Sequence, residues 1–303
     1  MANKNQQPSS SSGPYHRTLR IPFKPPYDWE MLIRFLQPRA IPGLEAITAH
    51  SYKRAFKVGE FSGLLEVRCP PHGDFLTVRL DSDGKPDLNV IRMRVSRLFD
   101  CAADPDPIGR HLGKQSLLRP LLRLHPGMRV PGAFDGFEIG IRAVLGQQVT
   151  VRAATTMAGR LAAAFGTRIE GLQSDNISSL FPSAATLVQA DLTGIGLTRA
   201  KAKAIRELAA AYLSEPALFE PSEDPGAAIS RLVEIPGIGE WTAEYIAMRA
   251  LKAPDGFPAS DLGLRKAVST TGQLVSAKEV EEQARPWRPW RAYAAMHLWS
   301  TLT

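Results

Sequence analysis

A glycine turn and a single downstream carboxylate are the residues of this chain whose types and spacing best suit chemistry. The turn, residues 236–239, reads Pro-Gly-Ile-Gly and separates two helical patterns. Gly237 and Gly239 allow positive φ and a close approach of the backbone to a ligand, and the helix that follows begins with unpaired N–H groups that suit an anion such as a phosphate. Asp261 follows a loop and stands at the start of the next predicted helix.

Each feature alone has a plainer interpretation. A short GxG turn is often an ordinary turn between two helices, packed for stability. An aspartate in the context Pro-Ala-Ser-Asp-Leu is most often the N-cap of the helix after it. Capping and catalysis are compatible at Asp261, because a helix N-terminus favours an ionised carboxylate.

The composition narrows the class of protein. The chain has 303 residues, 44% of them hydrophobic, which is enough for a soluble globular protein of two or three domains. Its net charge of +7 favours a polyanionic partner such as nucleic acid. Cys69 and Cys101 form no CxxC pair, and the six histidines show no HxxxH or HExxH spacing, so zinc and iron–sulfur chemistry are not expected. Neither a signal peptide nor a bilayer-spanning run is present, and a cytoplasmic location is predicted.

The pattern of the chain predicts an α+β fold. Residues 1–17 read as a disordered tail, and residues 18–105 as an α+β domain with an antiparallel sheet. In that domain we predict helices over 29–36 and 87–99, and strands over 52–58, 63–68 and 75–80.

Strand signals largely disappear after residue 102, and helical patterns follow one another to the end. We predict two helical subdomains, one formed by residues 106–130 with 254–303 and the other, carrying the glycine turn, by 131–253. The predicted helices are 109–124 (broken at Pro120), 133–147, 149–165, 183–190, 199–213, 225–232, 242–251, 262–270, 277–284 and 289–302.

Four segments in order resemble one family. In chain order they are PPYDWEMLIRFL, RVPGAFDGFEIGIRAVLGQQVTVRAA, IPGIGEWTAEYIAMRAL and RPWRPWRAYAAMHLWST. Together they resemble the helix-hairpin-helix DNA glycosylase superfamily, on its AlkA-type 3-methyladenine branch. The resemblance covers nearly everything after the tail, and it implies a glycosylase that flips out and excises alkylated bases in base excision repair.

The resemblance also implies roles for particular residues. Asp261 takes the position of the catalytic aspartate, which stabilises positive charge on the deoxyribose as the N-glycosidic bond breaks. Trp241 stands where lyase-active members carry a lysine, so no Schiff base is expected and the product is an abasic site.

The predicted base pocket is aromatic. Phe35, Trp241, Tyr245 and Trp299 would form an electron-rich wall, which favours purines made cationic by alkylation. Leu262 follows the aspartate where the family pattern has a tyrosine, and Gly263 follows where it has a larger apolar residue. The pocket is therefore expected to be wider or less aromatic on that side, and the range of bases stays open.

Double-stranded DNA is the partner implied by the resemblance. Leu145 matches the intercalating residue, Gln147 lies beside it, and the amides of Gly237 and Gly239 would bind a phosphate. A structural monovalent cation, sodium or potassium, is implied at backbone carbonyls of the turn; no other cofactor is expected, and the protein is predicted to be a monomer. The predicted carbonyl donors are Val233, Ile235 and Ile238.

Two other functions stay open. A glycosylase for deaminated or oxidised bases is compatible with Leu262 and Gly263. A non-catalytic DNA-binding protein could use the hairpin only to hold the backbone, although a carboxylate near DNA, as at Asp261, does not help such a protein.

Overall fold

The computed structural model describes residues 14–169, 176–269 and 272–302. Its N-terminal part contains one antiparallel sheet with the strand order β1-β5-β4-β3-β2. The strands are β1 (Tyr15–Pro22), β2 (Glu45–Thr48), β3 (Ser51–Val58), β4 (Phe61–Arg68) and β5 (Phe75–Ser82). The three strands predicted from alternation are therefore confirmed. The predictions missed β1 and β2, the two edge strands, because few of their residues are buried and their apolar alternation is weak.

The predicted tail of residues 1–17 extends too far. Tyr15 pairs with Ser82, and the pairing of β1 with β5 continues through Arg17 and Leu80. These backbone hydrogen bonds order a segment whose composition alone suggests disorder. Residues 1–13 lie outside the described part of the chain.

Two helices accompany the sheet. The first, α1 (Trp29–Leu36), begins at Asp28, whose side chain accepts the Met31 N–H, and the second, α2 (Leu88–Leu98), begins at Asp87 in the same way. A 3₁₀ turn, Gln37–Arg39, follows α1 directly. This turn carries Arg39 toward the helical part of the molecule.

The remainder of the described chain is helical apart from one isolated bridge between Arg168 and Ser179. The helices are α3 (Pro105–Leu112), α4 (Arg119–Leu124), α5 (Gly136–Gly146), α6 (Val151–Phe165), α7 (Ala184–Gln189), α8 (Arg199–Ser214), α9 (Pro225–Glu234), α10 (Glu240–Arg249), α11 (Leu262–Ala267), α12 (Ala277–Ala284) and α13 (Arg291–Trp299). The predicted helix 109–124, with its break at Pro120, is wrong, because the structure has two helices here. The first, α3, starts earlier, at Pro105 after the Asp104 cap, and ends at Leu112, whereas Pro120 lies in the first turn of α4.

Buried side chains form two cores. One contains the sheet, α1 and α2 together with the C-terminal helices α11 to α13, and the other contains α5 to α10. Asp100 joins the parts of the first core, since its carboxylate accepts bonds from Tyr293 Oη at 2.9 Å and Lys252 Nζ at 2.7 Å. The sheet is therefore packed into the helical body, and the domain boundaries drawn from the sequence stay a prediction.

None of the helices in the described ranges has both the length and the apolar character needed to cross a bilayer.

Candidate active site

Asp261 is held by three hydrogen-bond donors. It is the N-cap of α11, and its Oδ1 accepts the backbone N–H of Leu264 at 3.0 Å. The indole N–H of Trp299 donates to the same oxygen at 2.9 Å, and that of Trp241 donates to Oδ2 at 3.1 Å. Donors on both oxygens fix the orientation of the carboxylate. The plain capping role and the proposed catalytic role therefore coexist in one side chain.

The two indoles reach Asp261 from different helices. Trp241 lies in the first turn of α10, directly after the glycine turn, and Trp299 is the last residue of α13. Asp261 itself precedes α11, which packs against α13. The hairpin and the C-terminal helix thus meet at the carboxylate.

A cavity of about 430 Å³ opens beside this carboxylate. Asp261, Trp241, Tyr245, Trp299 and Leu262 all line it, so the structure brings together most of the residues predicted for the base pocket. The Trp241 and Tyr245 rings stack at 5.3 Å with a 15° interplanar angle, because their four-residue spacing puts them on one face of α10. A planar base can enter a space with such walls.

Phe35 does not line this cavity. Its side chain is buried behind the wall, with its ring 6.1 Å from that of Trp299 and 3.7 Å from the Arg39 guanidinium. The prediction of Phe35 as a pocket residue is corrected to a supporting position, because α1 packs the ring into the core shared with the sheet.

Gly263 has a role different from the one predicted. A Cβ at this position would lie 2.9 Å from Asp261 Oδ1 and 3.2 Å from Trp299 Cδ1. The missing side chain therefore lets the backbone approach the carboxylate closely, and does not simply widen the pocket. Leu262, by contrast, is exposed at the mouth of the cavity.

An apolar rim surrounds the mouth. Leu262 shares it with three other exposed aliphatic side chains, those of Val149, Val151 and Leu302. The sequence does not reveal these three as a group, since single exposed aliphatic residues are common on protein surfaces and only the fold brings them together.

Arginines form the inner wall of the cavity. None of them was among the site residues predicted from the sequence. Arg39 and Arg142 line it, and Arg249 lies behind Tyr245, donating to the Tyr245 hydroxyl at 2.6 Å. Arg142 is bound by Glu45 at 3.0 Å and Glu138 at 3.3 Å. Glu138 and Arg142 have i,i+4 spacing on α5, but the pair with Glu45 joins distant segments and leaves no local pattern from which a sequence could predict it.

Among the buried groups of this wall, positive charges outnumber negative charges. Arg54 also pairs with Glu138, at 2.6 Å, so two carboxylates face the guanidiniums of Arg54 and Arg142. Burial would raise the pKa of Glu45, but Arg142 and Arg54 reverse this and lower it. Within the described residues, neither Arg39 nor Arg249 forms an ion pair with a carboxylate; they donate to backbone carbonyls and to Tyr245. The cluster therefore carries excess positive charge beside the cavity.

Leu145 is buried, and its assignment as the intercalating wedge is wrong. Its side chain is 0% exposed within the core formed by α5 to α10. The amphipathic interpretation of α5 is the correct one at this position. The exposed residues at this end of α5 are Gln148, which has φ +55°, and Val149.

Gln147 joins this end of α5 to the hairpin. Its Nε2 donates to the Gly237 carbonyl and to Thr242 Oγ1, each at 2.9 Å. Both amide hydrogens are thus used within the protein, and only the Gln147 oxygen is left for a DNA contact. The two surfaces predicted to meet DNA are held in a fixed relation.

Only one of the two glycines in the turn needs a positive φ: Gly239 has φ −93°, a value that any residue adopts. Gly237 has φ +89°, and a Cβ there would lie 2.6 Å from Ala204 Cβ, whereas the corresponding space at Gly239 is open. Gly239 is the N-cap of α10, and no side chain caps this end. The first turn of α10 is therefore available to an anion.

The same turn offers carbonyl oxygens to a cation. The Ile235 carbonyl accepts the Ile238 N–H at 3.0 Å and keeps a second lone pair, as a carbonyl ligand of sodium or potassium requires. Val233 and Ile238, the other predicted donors, flank it in the hairpin.

A second cavity, of about 520 Å³, lies beside His297 on another side of α13. Three arginines but no phenylalanine, tyrosine or tryptophan line it, so it lacks the stacking walls that a nucleobase needs.

Family models match both the N-terminal and the helical part of the chain. A model described as the AlkA N-terminal domain matches residues 18–135, and one described as the HhH-GPD superfamily base excision DNA repair protein matches residues 141–289. The "DNA-3-methyladenine glycosylase 2" of Escherichia coli is 32% identical over 282 residues, which cover 92% of this chain and 95% of that protein. The chain belongs to the HhH-GPD superfamily, in its AlkA group.

Further relatives fit this placement in the HhH-GPD superfamily. A "Probable bifunctional transcriptional activator/DNA repair enzyme AlkA" of Mycobacterium tuberculosis is 36% identical over 285 residues, which cover 94% of this chain and 57% of that protein. The chain thus spans little more than half the length of that relative. Among solved structures, a 3-methyladenine DNA glycosylase from Archaeoglobus fulgidus has the same fold, with a TM-score of 0.79, 24% identity, and 93% and 97% of the two chains covered.

Proposed function

We propose that the chain is a monofunctional DNA glycosylase that flips alkylated bases of the 3-methyladenine and 7-methylguanine type out of duplex DNA and hydrolyses their N-glycosidic bonds, leaving abasic sites. The observation that carries this proposal is Asp261, fixed by two indole N–H groups at the wall of an aromatic cavity. Membership of the superfamily and the names of the relatives support it.

Asp261 acts on the sugar. As the glycosidic bond breaks, positive charge develops on the deoxyribose, and a fixed carboxylate stabilises it more than it stabilises the ground state. The same carboxylate can orient or deprotonate the attacking water. Because Trp241, Trp299 and the α11 amide already fix the carboxylate, little reorganisation is needed during the reaction.

The stacked rings of Trp241 and Tyr245 act on the base. Alkylation at N3 or N7 makes a purine cationic, which strengthens its stacking on aromatic faces and makes it a better leaving group. Lability and stacking together favour alkylated purines over normal bases.

The reaction stops at the abasic site. A lyase needs an amine at the sugar, and among the residues described around the cavity there is no lysine. Trp241, at the position of the amine in lyases, uses its indole N–H on Asp261 instead. Borohydride treatment during turnover should trap no covalent adduct between the protein and DNA; a trapped adduct would contradict this part of the proposal.

DNA binds across the hairpin and the rim. The uncapped N-terminus of α10 receives a phosphate, and Gln148 or Val149 at the end of α5 fills the space left by the flipped base. A sodium or potassium ion at the carbonyls of Val233, Ile235 and Ile238 would add a positive charge next to that phosphate. The complex contains one protein copy. Replacing potassium by tetramethylammonium at constant ionic strength should weaken DNA binding, and sedimentation should show a 1:1 complex.

The central test is base release from methylated duplex DNA by the wild type and by Asp261→Asn. Asparagine can still cap α11, so the fold should persist while the charge is lost. Removing one electrostatic stabiliser costs about 10²–10³-fold in rate, and we expect at least that loss with binding of abasic DNA retained. Equal release by both proteins would contradict the role of Asp261.

A panel of duplexes separates the remaining alternatives. Release of uracil or 8-oxoguanine faster than of 7-methylguanine would favour a glycosylase for deaminated or oxidised bases. Binding of DNA without release of any base would favour a non-catalytic protein.

A further inference from the structure

The Tyr245 hydroxyl has an unusual set of neighbours. Arg249 Nη1 donates to it at 2.6 Å, and Arg39, which lines the same cavity, adds a second positive charge that acts on the phenol and lowers its pKa. A phenolic oxygen has two acceptor sites and one hydrogen. A guanidinium only donates, so Arg249 occupies one acceptor site and the phenolic hydrogen is left to donate to another partner.

A base bound in the cavity can offer an acceptor to that hydrogen. Tyr245 lines the cavity, its ring stacks on Trp241, and it lies 6.5 Å from the ring of Trp299. Both tryptophans donate to Asp261. A base whose sugar meets Asp261 therefore lies within the same aromatic enclosure as the Tyr245 hydroxyl.

Charge is distributed unevenly across this enclosure. Asp261 supplies negative charge at the sugar, and the arginine wall supplies excess positive charge around Tyr245. When the glycosidic bond breaks heterolytically, its electron pair moves onto the base and positive charge appears on the sugar. The protein's charges are thus arranged along the direction in which the electrons move.

We propose that Tyr245 is a further catalytic residue, whose hydroxyl donates a hydrogen bond to the departing base and stabilises the electron pair that the base receives. Arg249 is a positioning residue that restricts the direction of the O–H, and Arg39 acts through the positive charge that it places near the phenol. The C–N bond breaks, and its electron pair goes to the base. A base that was neutral in the DNA therefore leaves as an anion. Water supplies the oxygen that bonds to the sugar carbon and the proton that the base finally takes up. This inference rests on the proposed glycosylase function and assigns the base side of the same site.

The electrostatics of Tyr245 agree with the role of a donor. Burial by itself would raise the pKa of Tyr245, but Arg249, Arg39 and Arg142 together lower it. A more acidic phenol is a stronger hydrogen-bond donor, and it gains most when the acceptor becomes anionic.

The role predicts a dependence on the leaving group. A cationic base such as 7-methylguanine becomes neutral when it leaves, whereas hypoxanthine leaves as an anion and gains more from the donor. Single-turnover release of both bases should be measured for the wild type, Tyr245→Phe and Tyr212→Phe. Tyr212 is a matched control because its ring packs against Phe137 outside the cavity.

We expect Tyr245→Phe to slow release of hypoxanthine about 10- to 100-fold, as for loss of a hydrogen bond to a developing charge, and release of 7-methylguanine less than about threefold. Tyr212→Phe should match the wild type on both. Arg39→Gln should give the same pattern as Tyr245→Phe with a smaller amplitude, which keeps the inference testable if Tyr245→Phe lowers the melting temperature.

Three results would overturn the inference: an equal loss on both bases, no loss on either, or a wild type that releases 7-methylguanine but not hypoxanthine. Failure of the proposed function is a different result, in which the wild type releases neither base.

Discussion

Trp241 and Asp261, which lie 20 residues apart, are joined by a 3.1 Å hydrogen bond from the indole N–H to Oδ2. The same indole stacks on Tyr245 at 5.3 Å. One side chain therefore contacts both the group proposed to stabilise the sugar and the group proposed to stabilise the base. Its shape explains why a lysine, which can neither stack nor hold both partners, is not an equivalent residue at this position.

Trp241→Phe and Trp299→Phe test the indole donors. Each variant keeps an aromatic ring and loses one N–H bond to a charged group, a bond that contributes about 1.5–3 kcal/mol. We expect base release from methylated DNA to slow roughly 10- to 100-fold in each, with DNA affinity little changed. Trp29→Phe is the control, because the Trp29 N–H donates to the Ala49 carbonyl on the sheet side. Activity of Trp241→Phe equal to that of Trp29→Phe would show that the indole bond is dispensable.

Gly237→Ala and Gly239→Ala separate stability from binding. The Gly237 backbone has φ +89° and its Cβ would meet Ala204, so alanine there should lower the free energy of unfolding by about 1–3 kcal/mol. Gly239 has open space around it, and alanine there should leave stability unchanged while weakening DNA binding, because its methyl group projects toward the predicted phosphate. Urea unfolding and fluorescence anisotropy measure the two effects. Unchanged DNA affinity in Gly239→Ala would place the phosphate elsewhere.

Leu145→Ala and Val149→Ala test the corrected position of the wedge. Leu145 is fully buried, so truncation should cost about 2–5 kcal/mol of stability. Val149 is 41% exposed, and truncation should change stability by less than about 0.5 kcal/mol while slowing base flipping, which 2-aminopurine fluorescence reports. Normal flipping in both Val149→Ala and Gln148→Ala would show that this turn supplies no wedge.

His297 makes stability depend on pH. Burial, with a further contribution from His125, lowers the pKa of His297 to about 4, and its Nδ1 has no partner among the described residues. The unfolded chain binds the proton more readily, so folding stability falls as the pH drops from about 6.5 toward 4. Between pH 7 and 4.5 this group should cost roughly 2–3 kcal/mol. Urea unfolding of the wild type and His297→Asn at both pH values checks it, and an equal pH dependence of the two would refute the role of His297.

The sequence predicted the aspartate, the two tryptophans and the tyrosine of the site, because each lies in a segment whose local pattern is distinctive. It did not predict Arg39, Arg142 or the apolar rim, which depend on segments far apart in the chain. Leu145 is an error of another kind. The motif around it predicted an exposed wedge, but Leu145 lies on the apolar face of α5 and is buried. The sheet was predicted where strands alternate and missed at its edges, where pairing with β5 and β3 orders residues that bury little surface.

Arg39 reaches the cavity from the 3₁₀ turn after α1, within the segment matched by the N-terminal family model. The sheet-bearing half therefore supplies a wall residue of the cavity, and under the proposed function a substitution in this half should change which bases are accepted. Residues remote in sequence from the hairpin thus shape the same cavity. Directed-evolution libraries aimed at new lesions should accordingly diversify residues 35–45 together with residues 261–263.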